Sequence, residues 1–433
     1  MRVAQYYATA LLAAVSAVSS QAVKGTPYGF ATGVTGGADG EVASPKSASE
    51  LAALLSDDAA RVIDLTTTYD FTGTTKTASG CSPWGTEKTC QQALDAASDW
   101  CGREQPDAPS VSNLKYDTAA LDALKVGSNK SIISSNGKGV LKGKGLSLQS
   151  GAKNIIIQGI TITDLNPGLV WGGDGLELQG NDGVWIDHCK FSLIGRMMIV
   201  AHYDPSRVTI SNTEFDGETT TSATCNGNHY WTMMFYGDGD EVTLDRNYIH
   251  DCSGRAPKLG EDSTTCYVQA VNNVFSNMEG HAFEAYGSAN ALIEGNSFES
   301  VSEPFSKSAQ VDTAYTVADA SAASACSSSL GRACLQNTLT SSGDWPSLGS
   351  SSSLSALAKY KDSLVTPISV DEAKAYVLAN AGPENLASYS GSDSASSSGG
   401  SPTGAATTGA AQPTASASGV SKAKAAAYRY YKM

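Results

Sequence analysis

The sequence predicts an all-β solenoid, a parallel β-helix. Three observations predict it: short strand-like segments recur along the centre, one polar position repeats in successive segments, and no helical patterning separates them.

The recurring segments are "IIIQGITI", "VWIDHCKF", "VTISNTEF", "VTLDRNYI", "VQAVNNVF" and "ALIEGNSF", starting at 155, 184, 208, 242, 268 and 291. Each opens with alternating β-branched or apolar residues, turns polar, and closes on Phe or Ile. Strands spaced by 23 to 34 residues fit one strand of each coil in a stack. The sixth position holds Asn247, Asn273 and Asn296. Asparagines stacked in a recurring turn can satisfy one another's amides up the solenoid. Cys189 occupies the same position in its own segment, where a buried free thiol is expected.

A second strand family follows the first: "GLELQG", "MMIVAH", "TMMFYG" and "AFEAYG". The residues just before these strands are Asp174, Arg196, Trp231 and His281, and Lys258 stands at the matching place in the intervening coil. Coils stack about 4.8 Å apart. Asp174 and Arg196 are therefore close enough to pair, and Arg255 and Lys258 lie roughly 10 Å further up the same face.

The remainder of the chain frames this centre. Residues 1–20 read as a secretory signal peptide: Arg2, then the apolar "ATALLAAVSAVSS", then small residues. Residues 21–387 form the solenoid domain. Residues 388–433, dominated by Ser, Gly, Ala and Thr, bury too little apolar surface to offset their ordering entropy and read as a disordered tail. No other apolar run is long enough to span a bilayer. A secreted, extracellular monomer is expected.

The net charge is −14 over 433 residues, which argues against nucleic acid and anionic membrane as partners. Export permits disulfides, and nine cysteines leave one unpaired at least. Asn129-Lys130-Ser131 is the one N-glycosylation sequon.

Three cations and one carboxylate suit hydrolysis poorly, since glycoside hydrolysis needs a close pair of acids. They suit a reaction that develops negative charge on a carbonyl, such as proton abstraction α to an ester. Each cation alone would ordinarily be a solvated surface residue; their alignment is what argues for a site. Trp84, Trp100, Trp171, Trp231, Tyr230 and Tyr236 are candidates for a sugar-stacking platform, whereas Trp185 and His188 read as structural. Asp238 and Asp240 read as an acidic turn.

"VWGGDGLEL", "VWIDH", "IGR", "SATCNGNHYW", "SGRAPK", "AVNN" and "GHAFE" together resemble the secreted pectin lyases of the pectate lyase superfamily. The similarity runs from roughly Gly25 to Leu386. It implies a right-handed parallel β-helix with long loops forming a cleft on one face. It also implies β-elimination of α-1,4-linked methyl-esterified galacturonan to 4,5-unsaturated products. By the same resemblance Arg255 removes the C5 proton and Lys258 stabilises the enolate. Arg196 stands where calcium-dependent relatives keep an acidic ligand, and Asp174 orients it. A methyl ester carries no charge to neutralise, so no metal or other cofactor is expected. Arginine is protonated at ordinary pH, so its use as a base requires that charge to be suppressed.

The resemblance pairs Cys81 with Cys101, Cys90 with Cys225 and Cys326 with Cys334. We further expect Cys252–Cys266 to brace the loop carrying Arg255. Two stretches depart from the family pattern: "MMIV" after "IGR", and "LGEDSTT" after "RAPK". Glu177 supplies a second acid near Asp174, on which a calcium-dependent pectate lyase reading would rest. A non-catalytic carbohydrate-binding β-helix is the alternative from another class.

Overall fold

The structure is a computed structural model that describes residues 23–389 apart from 39, 82–90, 93–110, 150, 309–312 and 347. The expected signal peptide, most of the tail, Trp84, Cys90, Trp100, Cys101 and the side chain of Cys81 lie outside the described residues.

The six predicted segments become neighbouring strands of one parallel ten-stranded sheet: Ile155–Gln158, Asp182–Asp187, Arg207–Ser211, Asp240–Asp245, Thr265–Val271 and Ser288–Glu294. Their first apolar residues align in register, Ile155 to Val184, Val208, Val242, Val268 and Ala291. A fifteen-stranded sheet covers the other two faces. It turns the corner on the long strand Val274–Ala285, whose first half pairs with Tyr248–His250 and whose last residues pair with Lys258–Leu259. The result is a right-handed parallel β-helix.

The closing residues of the segments fill its interior. Ile162, Phe191, Phe215, Ile249, Phe275 and Phe298 follow one another in register and are all buried. Phe191 and Phe215 stack at 5.4 Å, and Phe275 and Phe298 at 4.7 Å. Burying each side chain stabilises the stack by roughly 1.5–3 kcal/mol. Helix Ala48–Ser56 buries Leu51 and Leu55 against the terminal strands. Among the described residues no helix is long and apolar enough to cross a membrane.

The asparagine column forms as expected and gains a fourth member. Nδ2 of Asn247 donates to Oδ1 of Asn273, Asn273 to Asn296, and Asn296 to Asn337, each at 2.9 Å. Asn337 was not visible in the repeat because its segment lacks the apolar run that marks the others. Trp185 is core, its Nε1 donating to Ser211 Oγ at 3.0 Å, and His188 is buried against Asp187. Asp240 closes a turn by accepting from the backbone N–H of Gly237 and Ser206.

The cysteines correct one expectation. Cys326 and Cys334 are bonded, and Cys225 is bonded to a partner outside the described residues. Cys252 and Cys266, however, are free buried thiols, as is Cys189. Cys266 sits in the ten-stranded sheet between Asp240 and Ala289, while Cys252 bridges to His229 on the way to the cleft face. Each fills its own part of the apolar core, so no covalent brace forms. Burial pushes the Cys189 and Cys252 thiols up to about 12.

Candidate active site

The second strand family lines one face as Leu176–Leu178, Ile199–Ala201, Met233–Phe235 and Lys258–Leu259, continuing into the end of Val274–Ala285. Register along this face runs Glu177, Val200, Met234, Lys258, Glu284. Lys258 therefore does not occupy the slot of Asp174, Trp231 and His281, as the sequence reading had it. That slot in its coil belongs to Arg255, three residues before Lys258, just as His281 is three before Glu284. Lys258–Leu259 is a two-residue strand, too short to show the alternation that fixes register in a sequence.

Arg255 sits in the left-handed region at φ +48, an uncommon backbone for a residue with a side chain. Its N–H points at His281 Nε2 (3.3 Å) and its carbonyl accepts from Met233 N–H (2.6 Å). Gly254 lets the chain pass Tyr230: a Cβ there would lie 2.5 Å from the Tyr230 ring. The Arg255 guanidinium then lies 5.8 Å from the Tyr230 ring centre and is hydrogen-bonded to its hydroxyl. Its Nε is 3.3 Å from Glu284 Oε1, an ion-pair distance.

Glu284 is buried, which raises its pKa, yet the His281 hydrogen bond and the charges of Arg255, His281 and Lys258 outweigh burial and hold it below the ordinary carboxylate range. His281 Nε2 lies 3.2 Å from its second oxygen. Lys258 Nζ contacts Glu261 Oε1 at 2.6 Å and faces the Tyr286 ring at 4.8 Å.

Three coils from Lys258, Asp174 Oδ1 accepts from Met197 N–H at 2.9 Å, and its Oδ2 lies 3.7 Å from Arg196 Nη1 in the next coil. The Arg196 guanidinium lies 4.4 Å from the Trp171 ring centre, within cation–π range. The buried His229 holds the Arg196 carbonyl through Nε2 (2.7 Å). Glu177 is pushed up to about 7, first by burial and then by the charge of Asp174.

Of the expected platform, Trp171 and Tyr230 are half-buried beside Arg196 and Arg255. Trp231 and Tyr236 are buried with Met197, Val200 and Met234, so packing takes up most of the stacking surface expected of them. The Tyr236 hydroxyl contacts His202 Nδ1 at 2.7 Å. Asn129, the sequon residue, is half-buried in a left-handed turn, its Oδ1 accepting from Asn154. The roles of Glu261, Glu284, His229, His202 and Tyr286 were missed. For Glu284 a signal existed: Asp174/Glu177, Arg255/Lys258 and His281/Glu284 share one three-residue spacing.

Asp174, Glu177 and His202 bring metal-ligating atoms within 4.8 Å of one another. A guanidinium already borders that group, which makes it a poor cradle for a divalent ion. A second such group, Glu214, Asp216 and His250, holds the Lys190 ammonium 2.9 Å from both acids.

Residues 124–298 match the family described as a right handed beta helix region. A curated protein of Aspergillus terreus named "Probable pectin lyase F-1" is 46% identical over 387 residues, covering 88% of this chain and 99% of its own. The chain belongs to the pectin lyases. It is a polysaccharide lyase of the pectate lyase superfamily. "Probable pectin lyase E" of Aspergillus fumigatus is 44% identical over 87% of this chain and all of its own length. Among solved structures, a pectate lyase from Bacillus sp. N165 in complex with trigalacturonate superposes with a TM-score of 0.53 at 18% identity, over 83% of this chain and 99% of that one. At that identity it speaks for the fold of this pectin lyase.

Proposed function

We propose that this pectin lyase cleaves methyl-esterified α-1,4-galacturonan by β-elimination without a metal ion. The observation that carries this reading is the Arg196–Asp174 pair, a fixed cation at 3.7 Å in the coil where a metal would otherwise be needed. The curated relatives named for pectin lyase support the substrate class.

In this reading Arg255, in its neutral form, takes the proton from C5. The electron pair of the broken C–H bond moves into the C6 ester as an enolate, which Lys258 stabilises through its ammonium charge. The pair then returns to form the C4–C5 double bond as the C4–O bond breaks; the departing oxygen takes a proton from water, and Arg255 releases the C5 proton to solvent, which restores the base. Arg196 holds the ester carbonyl side of a neighbouring sugar, oriented by Asp174 and Trp171. Water plays no nucleophilic part, which fits a cleft with cations where a hydrolase keeps paired acids.

The same reading takes the N-terminal segment as an export signal and the enzyme as an extracellular monomer. Its test is absorbance of unsaturated ends from highly methylated pectin and from polygalacturonate, each with and without a chelator. Chelator-resistant turnover of the methylated polymer is expected. Activity confined to polygalacturonate and lost with the chelator would sink the proposal, and silence on both would favour a binding role.

A further inference from the structure

We propose that Glu284 and Glu261 determine the charge class of the substrate, by neutralising Arg255 and Lys258 within the cleft so that an uncharged ester is preferred to a free uronate. This rests on the lyase reading above.

Each cation of the face carries its own carboxylate: Arg196 has Asp174, Arg255 has Glu284 at 3.3 Å, and Lys258 has Glu261 at 2.6 Å. These partners are built in. Glu284 is only 5% exposed, stands beside Lys258 in strand register, and is fixed by His281. Glu261 is aimed back at Lys258 by a tight turn. Gly260 enters it at φ +70 with its N–H on Phe235 O, and Glu261 N–H donates to Thr264 Oγ1 while its carbonyl accepts from Thr264 N–H.

A free galacturonate entering here meets cations whose charge is already compensated, and carboxylates within a few ångströms of its own. Like charges at that range in a partly desolvated cleft repel appreciably. A methyl ester meets neither penalty, and its carbonyl can still accept from Arg255 and Lys258. The cations thus remain available to charge that develops during reaction, while charge present beforehand is disfavoured; selectivity then comes from repulsion built against the wrong substrate.

The test compares Glu261→Gln and Glu284→Gln with the wild-type full chain, reading kcat/KM on polygalacturonate divided by kcat/KM on highly methylated pectin. The ratio is expected to rise at least about tenfold in Glu261→Gln, which changes a partly exposed side chain and leaves the core intact. A ratio within twofold of wild type overturns the inference while leaving the lyase reading standing. Binding of trigalacturonate and of its methyl ester, measured by calorimetry, needs no turnover. Glu261→Gln should tighten the acid severalfold more than the ester, and equal changes in both overturn the inference. Should wild type release no unsaturated ends from methylated pectin, the lyase reading fails, and the calorimetry still decides whether Glu261 excludes anions.

Discussion

Arg196 and Asp174 stand one coil apart, Nη1 3.7 Å from Oδ2, with the guanidinium over the Trp171 ring. The carboxylate is divided between this cation and the Met197 N–H, so it fixes the arginine as well as balancing it. Arg196→Lys keeps the charge but loses the planar face that lies on Trp171. Its kcat/KM on methylated pectin should fall about 10- to 100-fold, and Arg196→Ala should fall further. Equal activity of the lysine variant would show that charge alone suffices.

Glu177 makes stability depend on pH. Its carboxyl rises from an ordinary 4.5 to about 7 on folding, because burial and Asp174 disfavour the charged form. A raised carboxyl contributes stability that is full below its unfolded value and is lost as pH rises through the folded one. Unfolding free energy should therefore decline between about pH 4.5 and 7 through this group, by at most on the order of 3 kcal/mol and less for its partial exposure. Glu177→Gln should flatten that slope in denaturant titrations at several pH values. An unchanged slope would place its titration elsewhere.

Asn273 donates to Asn296 and to Leu244 O, and accepts from Asn247. Asn273→Ala strips the Asn247 backbone N–H of its acceptor and Leu244 O of a donor, and breaks the side-chain bonds to Asn247 and Asn296, so it should destabilise the enzyme by about 2–4 kcal/mol. Urea unfolding measures this directly. Asn129→Gln, in a half-buried turn at the domain's edge, gives the comparison for a position outside the ladder.

The free thiols are also testable. Denaturation without reductant should let an alkylating reagent reach Cys189, Cys252 and Cys266, identified by peptide mass, while Cys326 and Cys334 stay blocked. A Cys252–Cys266 cross-linked peptide would contradict the fold described.

The stack was legible because its signals are local. The alternation that starts each segment, its sixth-position Asn and its closing Phe or Ile fall within eight residues, on the end of one strand, a turn and the start of the next, and each is in register with its neighbours. The cationic face was legible as a set, since Asp174, Arg196 and Arg255 precede strands. Its fine register was not: Lys258–Leu259 is two residues long and carries no alternation to read. Glu284 and Glu261 escaped as partners because their contacts depend on a strand bending round a corner and on a loop folding back. The Cys252–Cys266 brace failed for a related reason: nearness in sequence does not put two residues on one face of a coil.

Replacement of Arg255 tests the central claim most directly. With circular dichroism confirming the β-helix, initial rates of unsaturated-end formation on highly methylated pectin should fall at least about a thousandfold in Arg255→Ala. Activity within tenfold of wild type in a folded Arg255→Ala enzyme would contradict its assignment as the base.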